Sequence, residues 1–271
     1  MQEDHCQLPI AHCLLSSIDM ENKKQLLNYI LRLADTSLIL GQRLGEWCGH
    51  GPILEEDIAM TNISLDCIGQ ARGFYTYAAQ LEGEKKTEDD YAYLRDEREF
   101  MNLLIVEQPN GDFGQTMMRQ FLVSAFQYYH FDALKNSADK TIAALAEKSL
   151  KEVTYHLRHS SAWVIRLGDG TDESKQRMEN AIDALWLFTG DMFDPDDTDA
   201  ALIKASIAAD PKKIKPLWDK KVKEVFEEAN LAVPENVFMM SGSREGKHTE
   251  NLGYILAEMQ SLHRAHPGAS W

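Results

Sequence analysis

Two long stretches of this chain place apolar side chains every three to four residues, and almost none of it alternates apolar with polar. The first stretch carries Leu26, Leu27, Ile30, Leu31, Ala34, Leu38, Leu40 and Leu44, and Gly49-His50-Gly51-Pro52 closes it. A period near 3.6 gathers such residues on one helix face, whereas a half-buried strand needs a period of two. The chain is therefore expected to be all-α. Long helices are predicted over Glu21 to Trp47, Glu55 to Leu81, Phe113 to Leu134, and from the Ser137-Ala138-Asp139 opening to Leu167. Asp112 is placed to cap the third of these. A short helix is expected over Tyr91 to Val106 and an amphipathic one over Glu173 to Thr189, followed by an exposed acidic loop from Asp191 to Asp199. Shorter helices over Ala200 to Ala209 and Lys212 to Ala229, then one ending at Arg264, complete the reading. This predicts an N-terminal extension (1–20) and one helical domain (21–271), its core bundle over about 21–190 and a helical extension over 191–271.

Composition excludes several functions. Forty-three acidic against 28 basic residues give a formal charge of −15, which opposes nucleic acid or an anionic membrane as the main partner. The densest basic segment holds Lys212, Lys213, Lys215, Lys220, Lys221 and Lys223, and reads as a solvated helix face. Cys6, Cys13, Cys48 and Cys67 lack the spacing of a zinc knuckle or a disulfide scaffold. The first 20 residues lack a basic leader, and no apolar run approaches the roughly 18 residues of a membrane span. A soluble cytoplasmic protein is expected.

The most pointed local motif is Lys151-Glu152-Val153-Thr154-Tyr155-His156. Carboxylate-bridged di-metal bundles use a Glu followed three residues later by a His on one helix face. Three residues before His156 stands Val153, which has no lone pair to offer a metal. Glu152 is turned about 100° away around the helix, although it shares a face with His156 at i,i+4. Without a metal, His156 is expected to be a neutral core histidine hydrogen-bonded to a neighbouring side chain, for which its own helix is one source.

Four sets of residues, in order, carry a family resemblance. Leu65-Asp66-Cys67-Ile68-Gly69-Gln70-Ala71-Arg72, Lys151 through Ser160, Gly246-Lys247-His248-Thr249, and Pro267-Gly268 with Trp271 resemble the PaaC-type subunits of ring-1,2-phenylacetyl-CoA epoxidases. The resemblance implies a ferritin-like bundle that pairs with a related catalytic subunit, which holds a di-iron centre. In such assemblies an NADPH-dependent reductase supplies electrons, and the iron activates O2 to epoxidise the aromatic ring of phenylacetyl-CoA. Set against the catalytic relatives' metal pattern, the first-helix glutamate falls at Leu38 and the second-helix Glu-x-x-His at Cys67 and Gln70. The fourth-helix pair falls at Val153 and His156, so only His156 is retained; Gln115 lies near the third-helix position. The resemblance thus implies no catalytic, cofactor or metal residue in this chain, and a structural role beside the di-iron subunit.

The competing expectation is an independent di-iron oxygenase or oxidase using Glu46, Asp66, Glu152 and His156. Asp66 and Glu46 otherwise read as carboxylates that are solvated or paired with bases such as Arg72 and Arg43. The lysine segment 212–223 is a candidate contact for the anionic phosphates of CoA. Ser241-Gly242-Ser243-Arg244 offers backbone donors to a phosphate, without the P-loop spacing. His248 reads as part of a helix start capped by Thr249 or Ser243. Phe126, Tyr128, Tyr129 and Phe131 read as core, with Tyr129 and His130 the least easily internal and suited to a partner surface.

Overall fold

The structure is a computed structural model that describes residues 20–83 and 86–269. The predicted extension before Met20, Cys6 and Cys13, and the terminal Trp271 lie outside the described residues. Among those described there are nine α-helices and no strand. They are α1 (Met20–Gly45), α2 (Leu54–Glu82), α3 (Glu88–Tyr93), α4 (Phe113–Leu134), α5 (Lys140–Gly168), α6 (Asp172–Leu185), α7 (Asp197–Lys204), α8 (Pro211–Glu228) and α9 (Glu250–Ala265).

Helices α1 and α2 form one antiparallel hairpin and α4 and α5 a second, the ferritin-like arrangement. The first hairpin closes at Gly41, where a Cβ would meet Ile68 Cγ1 at 3.1 Å and Cys67 Cβ at 3.3 Å. Ser64 Oγ donates to the Gly41 carbonyl at 2.7 Å across the same contact. Helix starts follow their caps. Asp112 accepts from Gln115 N, and Asp139 accepts from Thr141 N and Ile142 N, so α4 and α5 begin where the sequence predicts.

The crossover between the hairpins departs from expectation. A helix over 91–106 is absent: α3 starts earlier, at a capping box of Thr87 and Asp90, and stops at Tyr93. Two 3₁₀ turns, Glu97–Glu99 and Leu104–Glu107, follow it. Side chains take over the backbone donors that a helix would use. Buried Asp35 on α1 accepts from Met101 N at 2.9 Å and Arg95 Nη1 at 3.1 Å, and Asp191 accepts from Leu104 N at 3.1 Å.

The acidic segment 191–199 is another correction. Asp191 and Asp199 are buried, at 1% and 2% exposure. Two arginines offset the burial of the Asp199 carboxylate, Arg32 at 3.2 Å and Arg244 Nε at 3.0 Å, and Arg32 also reaches Asp196, whereas the Asp191 carboxylate accepts from Leu104 N and Ser243 N. Arg32 holds the half-exposed Asp196 carboxyl, against the opposing effect of burial, down at about 2. The helix predicted over 173–189 ends at Leu185 and passes into a 3₁₀ turn, Trp186–Phe188, while α7 stops at Lys204.

Trp186, Phe193, Trp218 and Phe226 then pack against one another in tilted and edge-on ring contacts, Phe226 also against Phe121 of α4, and Trp218 Nε1 donates to Leu122 O at 2.9 Å. The extension is thereby built into the same apolar core, which runs from Leu26 to Leu256. No described helix is long and apolar enough to cross a membrane.

Candidate functional site

Leu38 comes from α1, Cys67 and Gln70 from α2, and Val153 and His156 from α5. All five are buried, His156, Cys67 and Val153 completely so. Leu38, Cys67 and Val153 belong to the continuous apolar core. A buried aliphatic side chain contributes about 1.5–3 kcal/mol relative to an exposed one, so these positions are occupied by stabilising packing. Burial, and after it the charges of Asp66 and Glu152, push the Cys67 thiol well above its ordinary value.

The polar residues at this level are engaged with each other. His156 Nε2 and Asp66 Oδ2 are 3.0 Å apart; because a carboxylate only accepts, the ring proton sits on Nε2. The partner of His156 therefore comes from α2 and not from its own helix. Gln70 Nε2 donates to Glu152 Oε2 at 2.9 Å. One further rung, unread in the sequence, joins His159 Nε2 to Glu56 Oε2 at 2.9 Å. The Asp66–His156 and Gln70–Glu152 pairs share one antiparallel register between α2 and α5, from which the Glu56–His159 pair departs by seven residues. The i,i+3 spacing of His156 and His159 was its one local signal.

The shifted-ligand set is not brought together. Asp66 and His156 meet, but Glu152 is taken up by Gln70. Glu46 lies beyond the end of α1, held by Arg43 at 2.8 Å and Asn110 at 2.8 Å. Asp66 pairs with His156 and not with Arg72, which instead contacts Glu88 at 3.2 Å. Among the described residues, no three or more His, Cys, Asp and Glu side chains are grouped as a metal ion requires. On α4, Gln115 sits at the helix start and donates to Pro109 O. The fully or nearly fully buried amides of that helix are Gln120 and Gln127.

Other sequence candidates resolve into structure. His248 is no simple helix-start residue. Its side chain is fully buried beside an equally buried Glu107, with Nδ1 3.0 Å from Glu107 Oε2 and Nε2 2.8 Å from Phe100 O. Thr249 stands at the N-cap of α9 without a side-chain cap bond, its N–H going to Glu107 Oε1 at 2.7 Å. Ser243 belongs to a separate 3₁₀ turn, Ser243–Glu245.

The Ser241–Arg244 segment is turned toward carboxylates, the opposite of a phosphate cradle. Ser243 N donates to Asp191 Oδ1 at 3.3 Å, and Arg244 binds Asp199 and the Asp191 carbonyl. On α8, Lys215, Lys220 and Lys223 lie beside Asp219, Glu224 and Glu227 one turn along. This leaves the face far less basic than its lysines suggest. His130, expected to resist burial, meets the Tyr29 hydroxyl at 3.0 Å. Burial and then Arg244 push its imidazole down to about 3.

The two packed helix hairpins define a ferritin-like helical bundle. The chain belongs to the phenylacetic acid catabolic protein family, whose model covers residues 16–271. It is similar to the C component of the 1,2-phenylacetyl-CoA epoxidase of Escherichia coli (strain K12), at 50% identity over 247 residues, 91% of this chain and 99% of that protein.

Proposed function

We propose that this chain is a non-catalytic structural subunit of a phenylacetyl-CoA epoxidase, which binds and stabilises a related, iron-bearing subunit in aerobic phenylacetate degradation. The observation that carries this reading is the filled ligand level. A pair of irons bridged by carboxylates needs glutamates from four helices and two histidines, and the positions concerned hold Leu38, Cys67, Gln70 and Val153. The one imidazole present, His156, is engaged by Asp66. This donor set does not fit a di-iron centre, and no step of oxygen chemistry is assigned to the chain.

Removing the carboxylates is also physically coherent. Without cations, clustered glutamates in a core repel one another and lack partners, so they would either destabilise the bundle or take up protons. Apolar residues avoid that conflict and leave a rigid bundle. The similarity to a protein named as one component of a 1,2-phenylacetyl-CoA epoxidase supports the placement in such a complex.

Two measurements test the reading. The chain expressed alone and incubated anaerobically with Fe(II) is expected to retain far less than one iron; about two irons per chain, the content of a di-iron bundle, would refute it. Co-expressed with the iron-bearing subunit, it is expected to co-purify as a stable complex, and separation of the two during purification counts against it.

A further inference from the structure

A cavity of about 50 Å³ lies where the bundle meets the C-terminal extension, and its walls leave hydrogen-bonding atoms unused. Helix α1 contributes Arg32 and Ser37, α4 contributes Gln127 and His130, and the Ser243–Glu245 turn contributes Ser243 and Arg244. Four buried atoms of this wall, Ser37 Oγ, Gln127 Oε1, Ser243 Oγ and Arg32 Nε, have no hydrogen-bond partner among the described residues. Their residues are 1%, 3%, 0% and 8% exposed. Folded proteins leave very few buried polar atoms unpartnered, and here four of them, from three separate segments, border one cavity.

The other polar groups of the wall are already engaged. Tyr29 and His130 bond to each other at 3.0 Å, and Thr36 Oγ1 accepts from Leu103 N at 3.2 Å. The guanidinium groups of Arg32 and Arg244 are matched by the carboxylates of Asp196 and Asp199. Neither sign of charge is in excess at the cavity.

The donor and acceptor character of the four free atoms selects the occupant. Gln127 Oε1 only accepts, Arg32 Nε only donates, and the two serine hydroxyls do both. An anion has nothing to give Gln127 Oε1, and a metal cation would face two guanidinium groups. A neutral molecule that both donates and accepts serves all four. Size narrows the choice, because benzene needs a cavity of about 150 Å³, whereas a water needs about 10–15 Å³ of such space and fills about 30 Å³ in the liquid.

We propose that this cavity is a water site, in which about two to four bound waters join Ser37 of α1, Gln127 of α4 and Ser243 of the C-terminal turn. Those three side chains make no direct bond to one another, so the waters are the polar link between the two hairpins and the extension at this level. Buried waters of this kind are part of the structure and costly to remove. The site is a property of the chain alone, whether or not the chain serves as a structural subunit.

Two measurements on the full, unsubstituted chain test the proposal. A high-resolution crystal structure is expected to show about two to four ordered waters in the cavity, bonded to the four atoms. A crystal held under xenon pressure is expected to bind no xenon there, because xenon enters dry, apolar cavities. Ser37→Ala gives a third reading in solution. It deletes a hydroxyl bonded to water, so the thermal midpoint should fall by about 1–6 °C, and the variant's crystal structure should hold one water fewer.

Bound xenon, or a cavity without ordered waters, overturns the proposal. So does a midpoint that is unchanged or rises in Ser37→Ala, since deleting an unpartnered hydroxyl relieves a cost whereas deleting a water-bonded one adds one. Density for an ion or for a stretch of chain makes that the occupant and equally overturns it. None of these outcomes touches iron binding or co-purification, so failure here is distinct from failure of the structural-subunit reading.

Discussion

Replacing His248 with alanine should loosen the C-terminal helix, and the size of the effect follows from what the imidazole touches. Its Nδ1 faces the Glu107 carboxylate and its Nε2 faces the Phe100 carbonyl. Both neighbours are acceptors, so both ring nitrogens must carry protons and the ring is an imidazolium. Burial opposes that charge, but the Glu107 hydrogen bond and charge outweigh it and raise the pKa above the ordinary histidine value. His248→Ala leaves Glu107, at 0% side-chain exposure, with only Thr249 N–H and Asn102 Nδ2 as donors. Breaking a buried pair on one side costs about 3–5 kcal/mol. At about 2–4 °C per kcal/mol for chains of this size, the midpoint should fall by about 6–20 °C.

The pH dependence gives an independent check. A raised folded-state pKa means that the contribution is complete below the unfolded value of about 6.5 and is lost as pH rises through the folded value. The unsubstituted chain should therefore lose stability between neutral and alkaline pH, and His248→Ala should lack that component. Calorimetry across this range, with hydrogen exchange on the α9 amides, reads both effects. A loss below about 1 kcal/mol, the scale of one ordinary hydrogen bond, would refute the reasoning. So would an imidazole nitrogen spectrum showing a neutral ring at pH 6.

Further substitutions probe the core. Arg95→Leu removes the guanidinium that binds buried Asp35 and lies 4.2 Å from the Phe100 ring centroid; chemical denaturation should show a loss of about 3–5 kcal/mol, since the uncompensated carboxylate remains. Tyr75→Phe, which removes only the hydroxyl donor at 2.5 Å from Asp35, should cost about 1–3 kcal/mol by the same assay. Val153→Glu places a carboxyl at a fully buried position; it should destabilise the chain by more than about 2 kcal/mol. Iron content after incubation with Fe(II) should not rise, because Leu38, Cys67 and Gln70 still supply no carboxylate.

Much of the bundle was legible because helix periodicity and caps are local. Asp112 and Asp139 each fix a helix start through bonds to residues two or three positions on, so they act before any tertiary contact forms. The crossover was not legible for the opposite reason: the carboxylates that take its backbone donors, Asp35 and Asp191, lie 66 and 87 positions away. Asp199 looked solvated for the same reason, since its partners Arg32 and Arg244 come from opposite ends of the chain.

The order of amino acids alone settles one point: a valine three residues before His156 cannot hold a metal in any fold. What those residues do instead was settled by packing. Hydrogen-bond choice depends on how segments distant in sequence are set against each other, and that placement assigns His156 to Asp66, Gln70 to Glu152 and His248 to Glu107. Packing also set which face of α2 is covered and which stays exposed, because α1 and α5 together bury only part of its circumference.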